Sequence, residues 1–157
     1  MDRKTAIFGA GCFWGIQYEF DQLKGVLETQ VGYCGGHTEN PTYKKVCGDT
    51  TGHAEAVQVM YDQNLITYEE LLKAFWEMHD PTTMNRQGPD IGSQYRSIIF
   101  YTDEHQKELA EKSKKELDSS GKYKDPVVTE IIPVMPFYKA EEYHQKYFEK
   151  TGQKVCH

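Results

Sequence analysis

Thr5-Ala6-Ile7-Phe8-Gly9-Ala10-Gly11-Cys12-Phe13-Trp14-Gly15-Ile16, continuing through Phe20 and Leu23 to Gly25, is the stretch from which the fold can be read. Residues 5–8 form a short apolar run and read as a buried strand. Phe13, Ile16, Phe20 and Leu23 recur at helical spacing, and that pattern ends at Gly25. A strand therefore runs straight into a helix, with Cys12 at the junction. Unpaired amide groups at a helix N-terminus favour negative charge, so this position favours a thiolate. The flanking glycines allow a tight turn and leave the sulfur uncovered. Phe13 and Trp14 set two aromatic rings beside it, an arrangement suited to a nucleophile whose substrate has a small apolar part. The stretch alone also suits an inert buried cysteine, the common fate of a free thiol. It does not suit a dinucleotide: Gly9, Gly11 and Gly15 miss the G-x-G-x-x-G spacing, and a Phe-Trp pair stands where phosphate needs open backbone.

Composition sets the bounds. The 157 residues are expected to form one catalytic domain, residues 1–157, with a polar, aperiodic and mobile tail over about 151–157. A net charge of −6 with 27% charged residues argues for solubility and against a nucleic-acid partner. No apolar run has the length of a membrane span, and no signal-peptide pattern opens the chain, so the expectation is a cytoplasmic protein without membrane association. Four cysteines, Cys12, Cys34, Cys47 and Cys156, are too sparse for a secreted disulfide scaffold. Eleven tyrosines point to an aromatic-rich core or pocket.

Beyond the first helix, residues 29–33 read as a strand. Residues 34–52 then form a long polar loop, with one possible helical turn at 43–46, and a loop of that length is usually functional or disordered. The strand over 53–61 is the most informative. Alternation puts Glu55 on one face with Val57, Val59 and Tyr61. A carboxylate among valines has either an ion-pair partner or a raised pKa that keeps its proton, and the latter is what a general acid requires. Thr67-Tyr68-Glu69-Glu70 is a capping box, and Leu71, Leu72, Phe75, Trp76 and His79 continue it as a core-packing helix stopped by Asp80-Pro81. A second loop spans residues 82–94, followed by a strand over 95–101. Asp103 caps a charged helix running to about Leu117, and residues 127–132 form a further strand. Phe137, Tyr138, Ala140, Tyr143, His144, Tyr147 and Phe148 read as one aromatic helical stripe devoted to packing.

This order gives an α+β fold: a single mixed β-sheet covered by helices, a two-layer sandwich with long functional loops. Three motifs carry a resemblance. Gly11-Cys12-Phe13-Trp14-Gly15, Gly52-His53-Ala54-Glu55-Ala56-Val57 and Asn85-Arg86-Gln87-Gly88-Pro89-Asp90-Ile91-Gly92-Ser93-Gln94-Tyr95-Arg96-Ser97 occur here in that order. Together with Ala140-Glu141-Glu142-Tyr143-His144-Gln145 they resemble the A-type peptide methionine sulfoxide reductases over nearly the whole chain. The resemblance implies that Cys12 attacks the sulfoxide sulfur and that Glu55 supplies the proton. It further implies that Tyr43 and Tyr95 hydrogen-bond the oxygen, that Phe13 and Trp14 hold the substrate methyl group, and that Asp90 joins the polar network. The substrate is the S epimer of methionine sulfoxide, free or in proteins. Cys12 becomes a sulfenic acid, a second cysteine forms a disulfide with it, and a thioredoxin-like partner reduces that disulfide. No cofactor or metal is implied, and the enzyme is expected to be a monomer. Some members carry two cysteines near the C-terminus; this chain has only Cys156 there, with Cys34, flanked by Gly35 and Gly36, as the rival.

A different class competes. Cys34, His37, Cys47 and His53 offer four potential zinc ligands in one loop region, although the Cys47-to-His53 spacing is long and no Cys-x-x-Cys occurs. Stoichiometric zinc would favour such a module. A cysteine hydrolase needs a histidine base with an orienting partner, and no histidine here has a motif for that role.

Overall fold

The strand-to-helix junction forms as its pattern dictates. The computed structural model describes residues 3–48 and 50–152. Strand β1 (Arg3–Ala10) leads into helix α1 (Phe13–Asp21), with Cys12 as the N-cap. Strand β2 (Val26–Cys34) and the single short helix of the long loop, α2 (Tyr43–Cys47), follow. Strand β3 (Ala54–Asp62) and helix α3 (Tyr68–Glu77) come next, the helix opened by the expected capping box of Thr67 and Glu70.

Residues 82–94 depart from the expected plain loop. They contain a small hairpin of β4 (Arg86–Gln87) and β5 (Asp90–Ile91) and a 3₁₀ turn at Ser93–Tyr95. Asn85 and Gly88 both adopt left-handed backbone, and the Gly92 amide donates to the Asn85 carbonyl at 2.8 Å. These local closures keep Tyr95 out of the strand, which begins two residues later as β6 (Ser97–Tyr101). Helix α4 (Glu104–Ser119) starts where Asp103 accepts the Gln106 amide. Strand β7 (Glu130–Pro133) begins three residues later than the expected 127–132 and ends one residue beyond it.

The aromatic segment near the C-terminus is not one helix. It divides into strand β8 (Tyr138–Lys139), a 3₁₀ turn at Glu142–His144 and helix α5 (Tyr147–Thr151). The break has a tertiary cause. Lys146 adopts a left-handed backbone, donates its amide to Gln17 Oε1 at 2.7 Å and places Nζ 2.7 Å from Asp21 Oδ2. Gln145 bridges to β2 through Val31, accepting its amide at 3.0 Å and donating to its carbonyl at 2.9 Å. These bonds to α1 and β2 are incompatible with an unbroken helical ladder.

Six of these strands form one sheet in the order β7-β6-β1-β3-β2-β8, antiparallel except for β6 and β7, and β4 and β5 pair with each other as a separate two-stranded sheet. The helix-bearing crossover from β6 to β7 makes that parallel pairing possible. On one face Phe8 stacks between Phe20 and Phe75, at 5.3 and 5.0 Å, joining Val57, Val59 and Ile99 to the helices. The other face carries Ile7, Cys34, Ala54, Ala56, Ile98 and Phe100 under Ile132, Met135 and Phe137. A mixed sheet with its helices on one side is the architecture expected from the element order. No helix among the described residues is long and apolar enough to cross a membrane. Residues 153–157, and with them Cys156 and most of the expected tail, lie outside the described residues.

Gly11 makes the turn that delivers Cys12. Its φ is +103°, and a Cβ there would stand 2.9 Å from Gln87 Cγ. Gly11→Ala is therefore expected to lose about 1–3 kcal/mol from backbone strain. The corresponding fall in thermal midpoint is about 2–4 °C per kcal/mol, and scanning calorimetry measures it directly.

Candidate active site

Helix α1 begins without help from its own N-cap side chain: Cys12 makes no capping hydrogen bond. The first amide of the helix is satisfied from elsewhere. Phe13 N–H donates to Glu55 Oε1 at 3.1 Å, across 42 residues of sequence. Strand β3 thus carries its carboxyl to the residue that follows Cys12.

Glu55 is 1% exposed, on the helix-covered face predicted from alternation. Among the described residues no cation pairs with it, and Oε2 is buried without a hydrogen-bond partner. Burial pushes its pKa from 4.5 up to about 8, the Phe13 amide opposes that rise, and the charge of Asp90 adds to it. The ion-pair alternative is thereby set aside in favour of a carboxylic acid that holds its proton at neutral pH. Oε1 is engaged by an amide, which leaves Oε2 as the oxygen that can carry and deliver the proton.

Cys12 is half-buried and disulfide-bonded, whereas Cys34 and Cys47 are free thiols. It lines a cavity of about 320 Å³ together with Ile16, Met78, His79, Gln87, Asp90 and Phe148, which puts Asp90 in its vicinity. On its other flank stands an aromatic wall. The Phe13 ring lies 5.7 Å from Tyr33 and 6.4 Å from Tyr43, while Trp14 stacks on Tyr147 at 4.0 Å. Tyr43 and Tyr95 are each half-buried, and burial, then the charge of Glu55, raises both phenols above their ordinary range. Both therefore remain O–H donors at any physiological pH. Cys47, one helical turn after Tyr43, adds to the rise of the Tyr43 phenol.

The structure brings Cys12, Phe13, Trp14, Tyr43, Glu55, Asp90 and Tyr95 to one region, linked by the contacts above. Cys34 is separated from it. It follows Tyr33 on β2 and so faces the opposite side of the sheet, fully buried, donating to the Met135 carbonyl at 3.4 Å. Burial pushes its thiol up to about 11. The zinc-ligand reading loses its geometry too. His53 has both ring nitrogens engaged by backbone, Nδ1 accepting from Gly36 N–H at 3.0 Å and Nε2 lying 2.7 Å from the Thr38 carbonyl. Among the described residues no three His, Cys, Asp or Glu side chains are grouped to hold a metal.

Sequence reasoning gave no role to Glu141, which it quoted only within a motif, and placed His144 in a packing stripe. His144 Nδ1 accepts the Trp14 indole N–H at 2.9 Å, and burial lowers its pKa, so the ring stays neutral and able to accept. Glu141 accepts the Tyr33 hydroxyl at 2.8 Å and the Tyr43 amide at 3.0 Å. The available signal was the one that exposed Glu55: a carboxylate adjoining apolar and aromatic residues.

Known proteins are similar to this chain in sequence and in fold. The family model described as "Peptide methionine sulfoxide reductase" matches residues 4–157. A protein of Methanosarcina acetivorans named peptide methionine sulfoxide reductase MsrA is 60% identical over 149 residues, covering 95% of this chain and 79% of that protein. The reduced form of Mxr1 from Saccharomyces cerevisiae superposes with a TM-score of 0.92 at 37% identity, over 99% of this chain and 89% of that one. Mxr1 in complex with Trx2 is similar with a TM-score of 0.67 at 27% identity, over 93% and 85% of the two chains.

The raised pKa of Glu55 has a measurable consequence for folding. A carboxyl whose folded pKa lies above its unfolded value stabilises fully below the unfolded pKa and loses that contribution as pH rises through the folded one. Wild-type stability should therefore fall between about pH 4.5 and about pH 8 relative to Glu55→Gln, and the difference should level off above that. Urea denaturation of both proteins from pH 5 to pH 9 tests this, with Glu55→Gln expected to be the more stable at pH 9.

Proposed function

Because this chain belongs to the peptide methionine sulfoxide reductase family, we propose that Cys12 is its nucleophile and Glu55 the acid that protonates the departing oxygen. The protein is a thiol-dependent oxidoreductase that reduces methionine sulfoxide to methionine. The observation that carries the assignment of roles is the Phe13 N–H to Glu55 bond, which sets a proton-bearing carboxyl beside the helix start where Cys12 stands.

In this reading the Cys12 thiolate attacks the sulfoxide sulfur. The Glu55 proton passes to the sulfoxide oxygen, the sulfur–oxygen bond breaks, and the oxygen leaves the substrate as hydroxide equivalent. Hydroxide then adds to the Cys12 sulfur and breaks the sulfur–sulfur bond that the attack had formed. The substrate leaves as a thioether and Cys12 becomes a sulfenic acid, so one sulfur is reduced as the other is oxidised. Tyr43 and Tyr95 donate hydrogen bonds to the oxygen as its negative charge grows, which favours the transition state over the ground state. Phe13 and Trp14, the latter held by His144, form the apolar wall for the S-methyl group, and the charge of Asp90 adds to the rise in the Glu55 pKa that burial begins. We assign the S epimer, free or within proteins, as substrate.

Recycling falls to Cys156, which lies outside the described residues. Its thiol condenses with the Cys12 sulfenic acid, releasing water and leaving a disulfide that a thioredoxin-like dithiol reduces. The free state of Cys34 and Cys47 and the placement of Cys34 across the sheet support this choice. The complex of Mxr1 with Trx2 supports the class of reductant. We take the protein to act in the cytoplasm as a monomer, without a cofactor.

Two sets of variants test these roles. Cys12→Ser should abolish reduction of dabsyl-methionine sulfoxide with any reductant, whereas Glu55→Gln should bind substrate yet slow a single turnover by about 10²–10⁴-fold. For wild type the single-turnover rate should decline as pH passes about 8, where Glu55 loses its proton. Cys156→Ser should complete one fast turnover but fail to cycle with thioredoxin, and dithiothreitol should restore much of the activity. A Cys12–Cys34 disulfide on peptide mapping, with normal cycling of Cys156→Ser, would overturn the recycling assignment.

A further inference from the structure

The reaction assigned above asks Tyr43 to hold its hydroxyl in one place, yet α2 is a five-residue helix in a long loop. Such a helix has little stability of its own. The side chain of its N-cap, Thr42, accepts the Lys45 amide and its carbonyl the Val46 amide, which leaves the Tyr43 amide to be satisfied by another part of the chain. That acceptor is Glu141, in the turn between β8 and α5. Its Oε2 takes the Tyr43 N–H at 3.0 Å and its Oε1 takes the Tyr33 hydroxyl at 2.8 Å.

The second contact gives the first its precision. Tyr33 is fully buried and lies opposite Glu55 in the β2–β3 register, with its ring 5.7 Å from Phe13. It is a fixed point of the sheet. The Glu141 backbone is fixed as well, since its carbonyl accepts the His144 amide at 2.9 Å and opens the 3₁₀ turn. One carboxylate therefore ties the start of α2 both to the sheet strand opposite Glu55 and to the turn that carries His144. Burial opposes ionisation of Glu141, but the Tyr43 amide and the Tyr33 hydroxyl outweigh it and hold the carboxyl below its usual range, so it is an anion at neutral pH.

We propose that Glu141 is a positioning residue for sulfoxide reduction: by accepting the Tyr43 amide and the Tyr33 hydroxyl together, it sets the location of the Tyr43 hydroxyl at the aromatic wall. The proposal rests on the role given to Tyr43 above. A glutamine at this position can accept through one oxygen only, and its NH₂ group cannot accept the second donor. A misplacement of about 1 Å in a positioned group can lower a rate by as much as 10²-fold.

Single-turnover reduction under dithiothreitol provides the test, with substrate affinity measured separately. Glu141→Gln should lower the rate constant of the chemical step by about 10–100-fold, with a smaller change in KM. Glu141→Asp, which keeps two acceptor oxygens, should recover part of it. Tyr33→Phe removes one arm of the bridge while retaining the buried ring, and should slow the step in the same direction. In a Tyr43→Phe background, Glu141→Gln should add little further loss, because the residue it positions has already lost its hydroxyl. The alkaline decline near pH 8 should persist in Glu141→Gln, as it belongs to Glu55. If Tyr43→Phe alone leaves the rate unchanged, the role given to Tyr43 is wrong. If Tyr43→Phe slows the step while both Glu141→Gln and Tyr33→Phe react at the wild-type rate, the positioning proposal is wrong. Fully multiplicative losses in Glu141→Gln and Tyr43→Phe would also overturn it, as would a shifted alkaline limb, which marks an effect of charge on Glu55. Should Glu141→Gln fail to fold, Tyr33→Phe alone and combined with Tyr43→Phe gives the same decision.

Discussion

The hydrogen bond from Phe13 N–H to Glu55 is the constraint on which the site depends. Helix α1 starts at a cysteine whose side chain makes no capping hydrogen bond. The cap duty passes to a carboxyl on β3, and the same contact brings a buried carboxyl to the residue that follows Cys12. The contact serves both ends at once. The helix gains an acceptor for its first amide, and the carboxyl gains one donor but too little solvation to ionise at neutral pH.

The sheet sorts the chemistry by face. Glu55, Tyr33 and the start of α1 share the side covered by helices, beside the aromatic wall of Phe13, Trp14 and Tyr43, and burial there keeps local charge effects strong. Cys34, one residue beyond Tyr33, falls on the other side by the two-residue period of a strand. That single step in sequence separates a buried thiol from the side of the sheet that carries Glu55. It also removes the basis for a zinc module, because the loop histidine nearest in sequence to Glu55 spends both ring nitrogens on backbone groups of its own loop.

The segment after β8 completes the site rather than merely covering the core. Gln145 and Lys146 anchor it to β2 and α1, and between those anchors and β8 lie Glu141 and His144, each reaching a residue of the wall. The Trp14 indole is held by a neutral histidine, and Tyr43 by a carboxylate shared with Tyr33. Polar bonds of this kind fix orientation where ring packing alone would permit sliding.

The sequence by itself determined the local parts: the strand-to-helix junction at Cys12, the capping box at Thr67, the cap at Asp103 and the face of β3 on which Glu55 lies. These follow from periodicities of 2 and 3.6 residues and from capping chemistry, which act over a few residues. The three motifs, taken in order, also pointed to the reaction. Tertiary structure alone decided the rest. Lys146 and Gln145 divided an apparently continuous aromatic helix, because bonds to Gln17, Asp21 and Val31 outcompete helical propagation. Tyr95 left the predicted strand for a 3₁₀ turn because the hairpin before it closes locally. Glu141 and His144 acquired their roles from partners about 98 to 130 residues away, a separation at which no periodic pattern carries information.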